Sequence, residues 1–259
     1  MGIALRAHAK INLDLYVFPP HHGFHSIDSI FAAVGLYDVI RIEAPTNAPV
    51  ANHTDITFTG PYAHSIPLNS NTITKTVTAL REKIGAAASS AIHITVEKNI
   101  PSGAGLGGGS ADAAAVLVGL NKLWQLDLSQ TDLAELGAIV GSDVPFFIAT
   151  SSARVRGRGE RIDALPTRDG WIALIKPQNL SCPTADIYRT WDTLNHRSLF
   201  LAQVKKDNHL PAVCEANVSV RPNFYNALYH AVFSLHPEYE AWLWRLKRAG
   251  FGQCALTGS

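Results

Sequence analysis

Between Pro101 and Ser110 the chain reads Pro-Ser-Gly-Ala-Gly-Leu-Gly-Gly-Gly-Ser, with five glycines in seven residues. Ahead of it Ile92, Ile94 and Val96 alternate as in a strand, and behind it an Ala/Val/Leu-rich run from about Ser110 to Leu123 reads as a helix. The glycines therefore form the turn of a strand, loop and helix unit. Backbone N–H groups of such a loop converge at the positive end of the helix dipole, where phosphate oxygens bind. Glycine suits the place because side chains would hold an anion away from the backbone, and because such turns use positive φ.

Two common phosphate loops do not fit. A Walker A loop has Lys and then Ser or Thr after its last glycine, and no lysine occurs between Lys98 and Lys122. Gly103, Gly105 and Gly108 match a GxGxxG string, but a dinucleotide fingerprint opens at the end of its strand, and here Pro101 intervenes. The acidic residue at the expected distance, near Asp127, falls in a loop before a helix.

Toward the N-terminus every odd position from Ile3 to Val17 is apolar, while Arg6, His8, Lys10, Asn12 and Asp14 fall among the even ones. Period two means extended chain, and a strand this long is expected to bend or bulge midway. Lys10, Asn12 and Asp14 then share the face opposite the apolar one, free for chemistry. Pro19 to Gly23 breaks the pattern, and short strands are expected at Val39 to Ile42 and Ile56 to Phe58. Ile73, Val77, Leu80 and Ile84 follow Asn71 at helical spacing, with Gly85 as a stop. Ser129 and Asp132 make a capping box ahead of Leu133, Leu136 and Val140, and Gly141 leaves Asp143 at a turn before Val144-Pro145.

Past about Thr150 the texture changes to Arg154, Arg156, Gly157, Arg158 and Gly159. A strand is expected at Trp171 to Ile175, and helices near Ile187, Phe224 to Leu235 and Glu238 to Ala249. A domain boundary is expected here, dividing residues 1–152 from 153–259. No repeat at solenoid periods occurs.

With 259 residues, 47% of them hydrophobic, the chain can bury a sizeable core. A formal net charge of +1 gives no reason to expect a nucleic-acid backbone or an anionic membrane as partner. Cys182, Cys214 and Cys254 are odd in number and far apart, fitting neither a zinc site nor a disulfide framework. No stretch of about 18 apolar residues is present, and the first residues already read as a strand, not as a targeting segment. A cytoplasmic, reducing location and a small-molecule partner are expected, in a monomer or homodimer.

Pro101-Ser102-Gly103-Ala104-Gly105-Leu106-Gly107-Gly108-Gly109-Ser110-Ala111 resembles the Pro-x-x-x-Gly-Leu-Gly-x-x-Ser loop of the GHMP kinases. Its triple glycine is similar to the form found in the 4-diphosphocytidyl-2-C-methyl-D-erythritol kinases. Ala9-Lys10-Ile11-Asn12-Leu13, Gly23-Phe24-His25 and Gly141-Ser142-Asp143-Val144-Pro145-Phe146 agree in order, so the resemblance spans most of the chain. It implies a two-domain α+β fold with ATP and substrate in the cleft between domains. By the same resemblance Lys10 and Asp143 are the catalytic pair and Pro101 to Ala111 hold the ATP phosphates. Asn71 and Lys98 would lie near the nucleotide, and Asn12, Phe24, His25 and Tyr188 would contact the cytidine-bearing alcohol. The family usually has Tyr where Phe24 stands. Ala255-Leu256-Thr257-Gly258-Ser259 resembles the start of the family's third glycine motif, which normally runs on for several tens of residues, so the C-terminal domain is expected to be incomplete at its end.

Phosphoryl transfer to an alcohol needs a positioned hydroxyl, an acceptor for its proton and positive charge around the moving group. Asp143 offers the acceptor, Lys10 the charge beside it, and Mg2+ would bridge the phosphates, with Ser110 a ligand through its hydroxyl. Plainer roles stand beside these. Asp143 can cap a short helix; Lys10 can be solvated; His21, His22 and His25 mimic a metal cluster, but His21 and His22 read as loop surface; Arg154 to Arg161 reads as a solvated strand edge. Homoserine, mevalonate or a free sugar is the alternative acceptor on the same fold, and a catalytically inactive nucleotide-binding protein is the alternative from another class.

Overall fold

The structure, a computed structural model, describes residues 2–45, 53–67, 70–85, 91–167, 169–177, 180, 182–194 and 224–258. Strand β1 (Gly2–Val17) pairs antiparallel with β2 (Ile27–Glu43), and the register slips between His8 and Lys10 and again between Asn12 and Asp14. The expected bulge is thus two irregularities, and they flank Lys10 and Asn12. β2 reaches well ahead of the Val39 to Ile42 run; the Ala32, Ala33 and Gly35 in its middle blur the period there.

β2 is the spine of a six-stranded sheet. β1 runs along the whole of one edge, so the other edge is shared by β4 (Ile92–Glu97), opposite Val39–Glu43, and β5 (Ser152–Gly157), opposite Ile27–Ala32. β3 (Thr54–Thr59) lies parallel to β4, and β6 (Arg161–Ala164) antiparallel to β5. The sheet therefore continues past residue 152. β5 is flanked on both sides, so Arg154 and Arg156 do not lie on a strand edge, whereas Arg161 does, on β6 at the end of the sheet. Arg154 clasps Asp28 through Nε to Oδ1 at 2.8 Å and Nη2 to Oδ2 at 2.5 Å, and Arg156 pairs with Asp163 at 2.6 Å.

Helix α1 (Thr72–Ile84) provides the crossover from β3 to the parallel β4. Asn71 caps it, its Oδ1 accepting the Thr74 N–H at 2.9 Å, and Gly85 closes it with φ 59°. Helix α2 (Gly108–Leu123) starts two residues before Ser110, because Gly108 and Gly109 enter the helix themselves. The capping box forms as read, with Ser129 and Asp132 opening α3 (Gln130–Val140), and α4 (Val144–Ala149) follows Asp143 directly. These helices cover one face of the sheet over a core that includes Ile40, Ile42, Leu80, Ile94, Leu117 and Leu120.

The far end of β1 carries a second core. Leu15 and Val17 pack with Ile187 and Trp191 of α5 (Thr184–Thr193) and with Leu228 and Ala231, at the start of α6 (Tyr229–Leu235). Helix α7 (Glu238–Arg248) follows. Trp171 to Ile175 is not a strand. Trp171 stands fully exposed and Ile172 and Ile175 about half so, with no described strand beside them to take the backbone ladder that apolar alternation alone cannot supply. Cys182 and Cys254 are free thiols, and Cys214 lies outside the described residues. Among the described residues no helix is long and apolar enough to cross a membrane.

Candidate active site

The glycine-rich loop has the backbone its composition demands. Gly103, Gly105 and Gly107 take φ of 64°, 68° and 68°. Gly107 sits at the N-cap of α2, with no side-chain cap and no acidic residue in the first turn, so the opening N–H groups of α2 are left for an anion. A Cβ on Gly107 would lie 2.9 Å from Phe147 Cζ and 3.0 Å from Lys10 Cγ. The loop is tied at its middle and near its end: the Lys10 N–H donates to the Leu106 carbonyl at 2.9 Å, and Thr72 Oγ1 donates to the Gly109 carbonyl at 2.9 Å. Pro101 to Ser110, with Asn71 and Thr72, walls a cavity of about 400 Å³, and Ala111 follows buried in α2. Backbone donors, a glycine cradle that a side chain would fill and a cavity of this size fit a nucleoside triphosphate.

Asn71 and Lys98 line the same cavity, but both are engaged within the protein. Asn71 caps α1 and its Nδ2 donates to the Pro67 carbonyl at 3.0 Å. Lys98, buried at the end of β4, places its ammonium between Asp38 and Asp112, 2.6 Å from Asp112 Oδ2. Asp38 Oδ1 also accepts the N–H of Ile100 at 2.8 Å. Burial pushes the Asp112 carboxyl up to about 7; the Lys98 charge opposes the shift and Asp38 adds to it. Sequence reasoning missed this triad, although a lone carboxylate among the Ala, Val and Leu of α2 was a legible signal.

Lys10 and Asp143 meet. Lys10 Nζ stands 3.6 Å from Asp143 Oδ2, donates to Asn12 Oδ1 at 2.8 Å, and lies 4.5 Å from the centre of the Phe31 ring. Asp143 precedes α4 but its side chain makes no cap bond, so the capping role is not the one it plays. The polar face of β1 is not open to water: Lys10, Asn12 and Asp14 are all buried. Asn12 Nδ2 donates to Ser29 Oγ at 2.8 Å, its N–H donates to Thr257 Oγ1 at 2.7 Å, and its Oδ1 accepts the Gly258 N–H at 3.2 Å. The C-terminal glycine segment thus closes over the β1 site.

Just ahead of β2, His25 holds its ring by Nδ1 to the Phe18 carbonyl at 2.9 Å and by Nε2 to Asp192 at 3.3 Å. The rings of Tyr188 and Trp191 lie 5.1 and 5.2 Å from it. Burial lifts the Tyr188 hydroxyl to about 12, and the Asp143 carboxylate adds to the shift. Phe24, beyond His25, is half-exposed and carries the Arg158 guanidinium 3.6 Å from its ring centre. His21 and His22 pair ring edge to face at 4.1 Å. Among the described residues no three or more His, Cys, Asp or Glu side chains converge on a metal. Magnesium arriving with a nucleotide needs only one or two protein oxygens, and the Ser110 hydroxyl faces Gly141, two residues before Asp143.

Residues 71–151 match the family described as GHMP kinases N terminal domain. The chain is 34% identical over 264 residues to the 4-diphosphocytidyl-2-C-methyl-D-erythritol kinase of Enterococcus faecalis, covering 100% of this chain and 88% of that protein. It is similar to a crystal structure of 4-(cytidine 5'-diphospho)-2C-methyl-D-erythritol kinase, with TM-score 0.66 and 28% identity over 96% of this chain and 84% of that one. Likeness to the mevalonate kinase of Methanococcus jannaschii, with TM-score 0.53 and 13% identity over 80% and 70% of the two chains, is a likeness of fold alone.

Proposed function

This chain belongs to the 4-diphosphocytidyl-2-C-methyl-D-erythritol kinases of the GHMP superfamily, and from that membership we infer that it transfers the γ-phosphoryl group of ATP to the 2-hydroxyl of 4-diphosphocytidyl-2-C-methyl-D-erythritol, in non-mevalonate isoprenoid precursor synthesis. The fold is the two-domain α+β fold of GHMP kinases. The expected division of residues 1–152 from 153–259 cuts through this sheet, so we place the first domain's end after β6, at Ala164, and assign the rest of the chain to the second domain.

The observation that carries the reading is the Lys10–Asp143 pair, 3.6 Å apart, with the Lys10 side chain packed against Gly107 of the glycine loop. Asp143 Oδ1 or Oδ2 accepts the proton of the acceptor hydroxyl as its oxygen bonds to the γ-phosphorus, and the bond from that phosphorus to the bridging oxygen of ADP breaks. Lys10, 3.6 Å from Asp143, offsets the charge that develops on the transferred group. Loop amides and the α2 N-terminus hold the phosphates, and Ser110 is the candidate residue to hold Mg2+, which would supply charge neutralisation there. Asn12 fixes Lys10, while Phe24, His25 and Tyr188 take the cytidine.

ATP consumption by the purified chain with Mg2+ tests this directly, comparing the cytidine-linked alcohol with homoserine, mevalonate and galactose. Turnover confined to the cytidine-linked alcohol is expected; turnover with another acceptor alone would reject the assignment.

A further inference from the structure

The turn between β5 and β6 touches both halves of the acceptor site. Gly159, at φ 117°, lies so close to the backbone of Ser142 that a Cβ there would stand 2.6 Å from the Ser142 carbonyl oxygen. Ser142 is the residue before Asp143. One position earlier, the Arg158 N–H donates to Glu160 Oε2 at 2.5 Å, and its guanidinium covers the Phe24 ring at 3.6 Å.

Phe24 needs such a support. It sits in the short turn that closes between the His21 and Phe24 backbones, and it remains 52% exposed even with Arg158 upon it. A phenyl ring has no hydroxyl to fix its orientation by hydrogen bonding. A guanidinium plane stacked on one face restrains the ring and strengthens its attraction for the cation, leaving the remaining surface for a base. Phe24 and Arg158 also form part of the wall of a cavity of about 540 Å³ that His22 and Asp28 continue.

We propose that Arg158 is a positioning residue for the acceptor: it backs Phe24 so that the ring presents a flat face to the cytosine, and the Gly157–Glu160 turn holds that base clamp in register with Asp143. This rests on the cytidine-linked acceptor inferred above. The layered order is Arg158, Phe24, cytosine, with Arg158 acting through the phenyl ring without touching the substrate.

The test pairs kinetics with direct binding of cytidine diphosphate to the intact chain, for wild type, Arg158→Ala and Arg158→Lys. In Arg158→Ala, the acceptor KM and the Kd for cytidine diphosphate should both rise about 3- to 30-fold, the loss of one partly exposed cation–π contact. The kcat and the KM for ATP should change less than about twofold, a split that general destabilisation does not produce. Arg158→Lys should recover part of the binding, since an ammonium still stacks but lacks the planar fork. Unchanged or tighter cytidine diphosphate binding in Arg158→Ala, with the wild type binding normally, overturns the positioning role. No cytidine diphosphate binding by wild type would instead reject the acceptor assignment on which the proposal stands.

Discussion

Gly258 lies with its backbone against that of Gly105, so that a Cβ on Gly105 would fall 2.6 Å from Gly258 Cα and 3.0 Å from the Thr257 carbonyl oxygen. Two glycine segments about 150 residues apart in the chain thus meet at the phosphate loop. Gly105 also has φ 68°, where a side chain is strained. Gly105→Ala should therefore weaken ATP binding by roughly 10- to 100-fold, from backbone strain of about 1–3 kcal/mol together with the clash. Titration calorimetry with ATP checks it, and an unchanged Kd would show that the Gly105–Gly258 contact does not shape the loop.

Asp143→Asn keeps the volume of the side chain and removes the proton acceptor. Its carboxylate is partly open, at 29% exposure, and faces Lys10 at 3.6 Å. Turnover should fall by roughly two to four orders of magnitude while ATP binding is nearly retained. Steady-state kinetics beside an ATP titration separate the two effects. Full activity would remove Asp143 as the base.

Phe24→Ala should weaken the cytidine-linked acceptor by about 1 to 3 kcal/mol, the range for stacking of one base on an aromatic ring. The affinity for ATP should not move, because Phe24 lies on the β5–β6 side and outside the wall of the nucleotide cavity. Equal acceptor affinity in wild type and variant would exclude stacking on this ring.

What could be read from sequence was the local chemistry that a pattern states outright. The glycine loop, the Asn71 cap, the Ser129–Asp132 box and the period-two strand at the N-terminus each announce themselves through neighbouring residues. The meeting of Lys10 with Asp143 came from the family resemblance, since 133 positions separate residue 10 from residue 143. The Arg158–Phe24 stack and the Thr257–Asn12 bond depend on long-range packing that no local pattern encodes, and of the Lys98–Asp38–Asp112 triad only the lone Asp112 among apolar residues shows in the sequence, not its partners. The expected strand at Trp171 failed for the complementary reason: alternation predicts an extended segment, whereas a strand also requires a neighbour for its N–H and C=O groups.

The buried triad gives the protein a pH signature. Asp112 has an ordinary value of 3.8 and is held up to about 7 by burial in the fold. Between those values the native state binds more protons than the unfolded chain, so this group makes stability fall as pH rises through the window and adds no further slope above about 7. Asp14, raised by burial to about 6, contributes a slope of the same sign that ends earlier. Over the interval from about 6 to about 7 the Asp14 contribution fades while that of Asp112 persists, and the difference between wild type and a variant without the Asp112 carboxyl separates it from other titrating groups. Asp112→Asn removes the titrating carboxyl while Lys98 keeps Asp38 as its partner, so the melting temperature of the variant should decline less over that interval than that of wild type. Thermal unfolding from pH 5 to pH 8 reads the difference. Parallel curves for the two proteins would mean that Asp112 is already ionised throughout, with the Lys98 charge outweighing the cost of its burial.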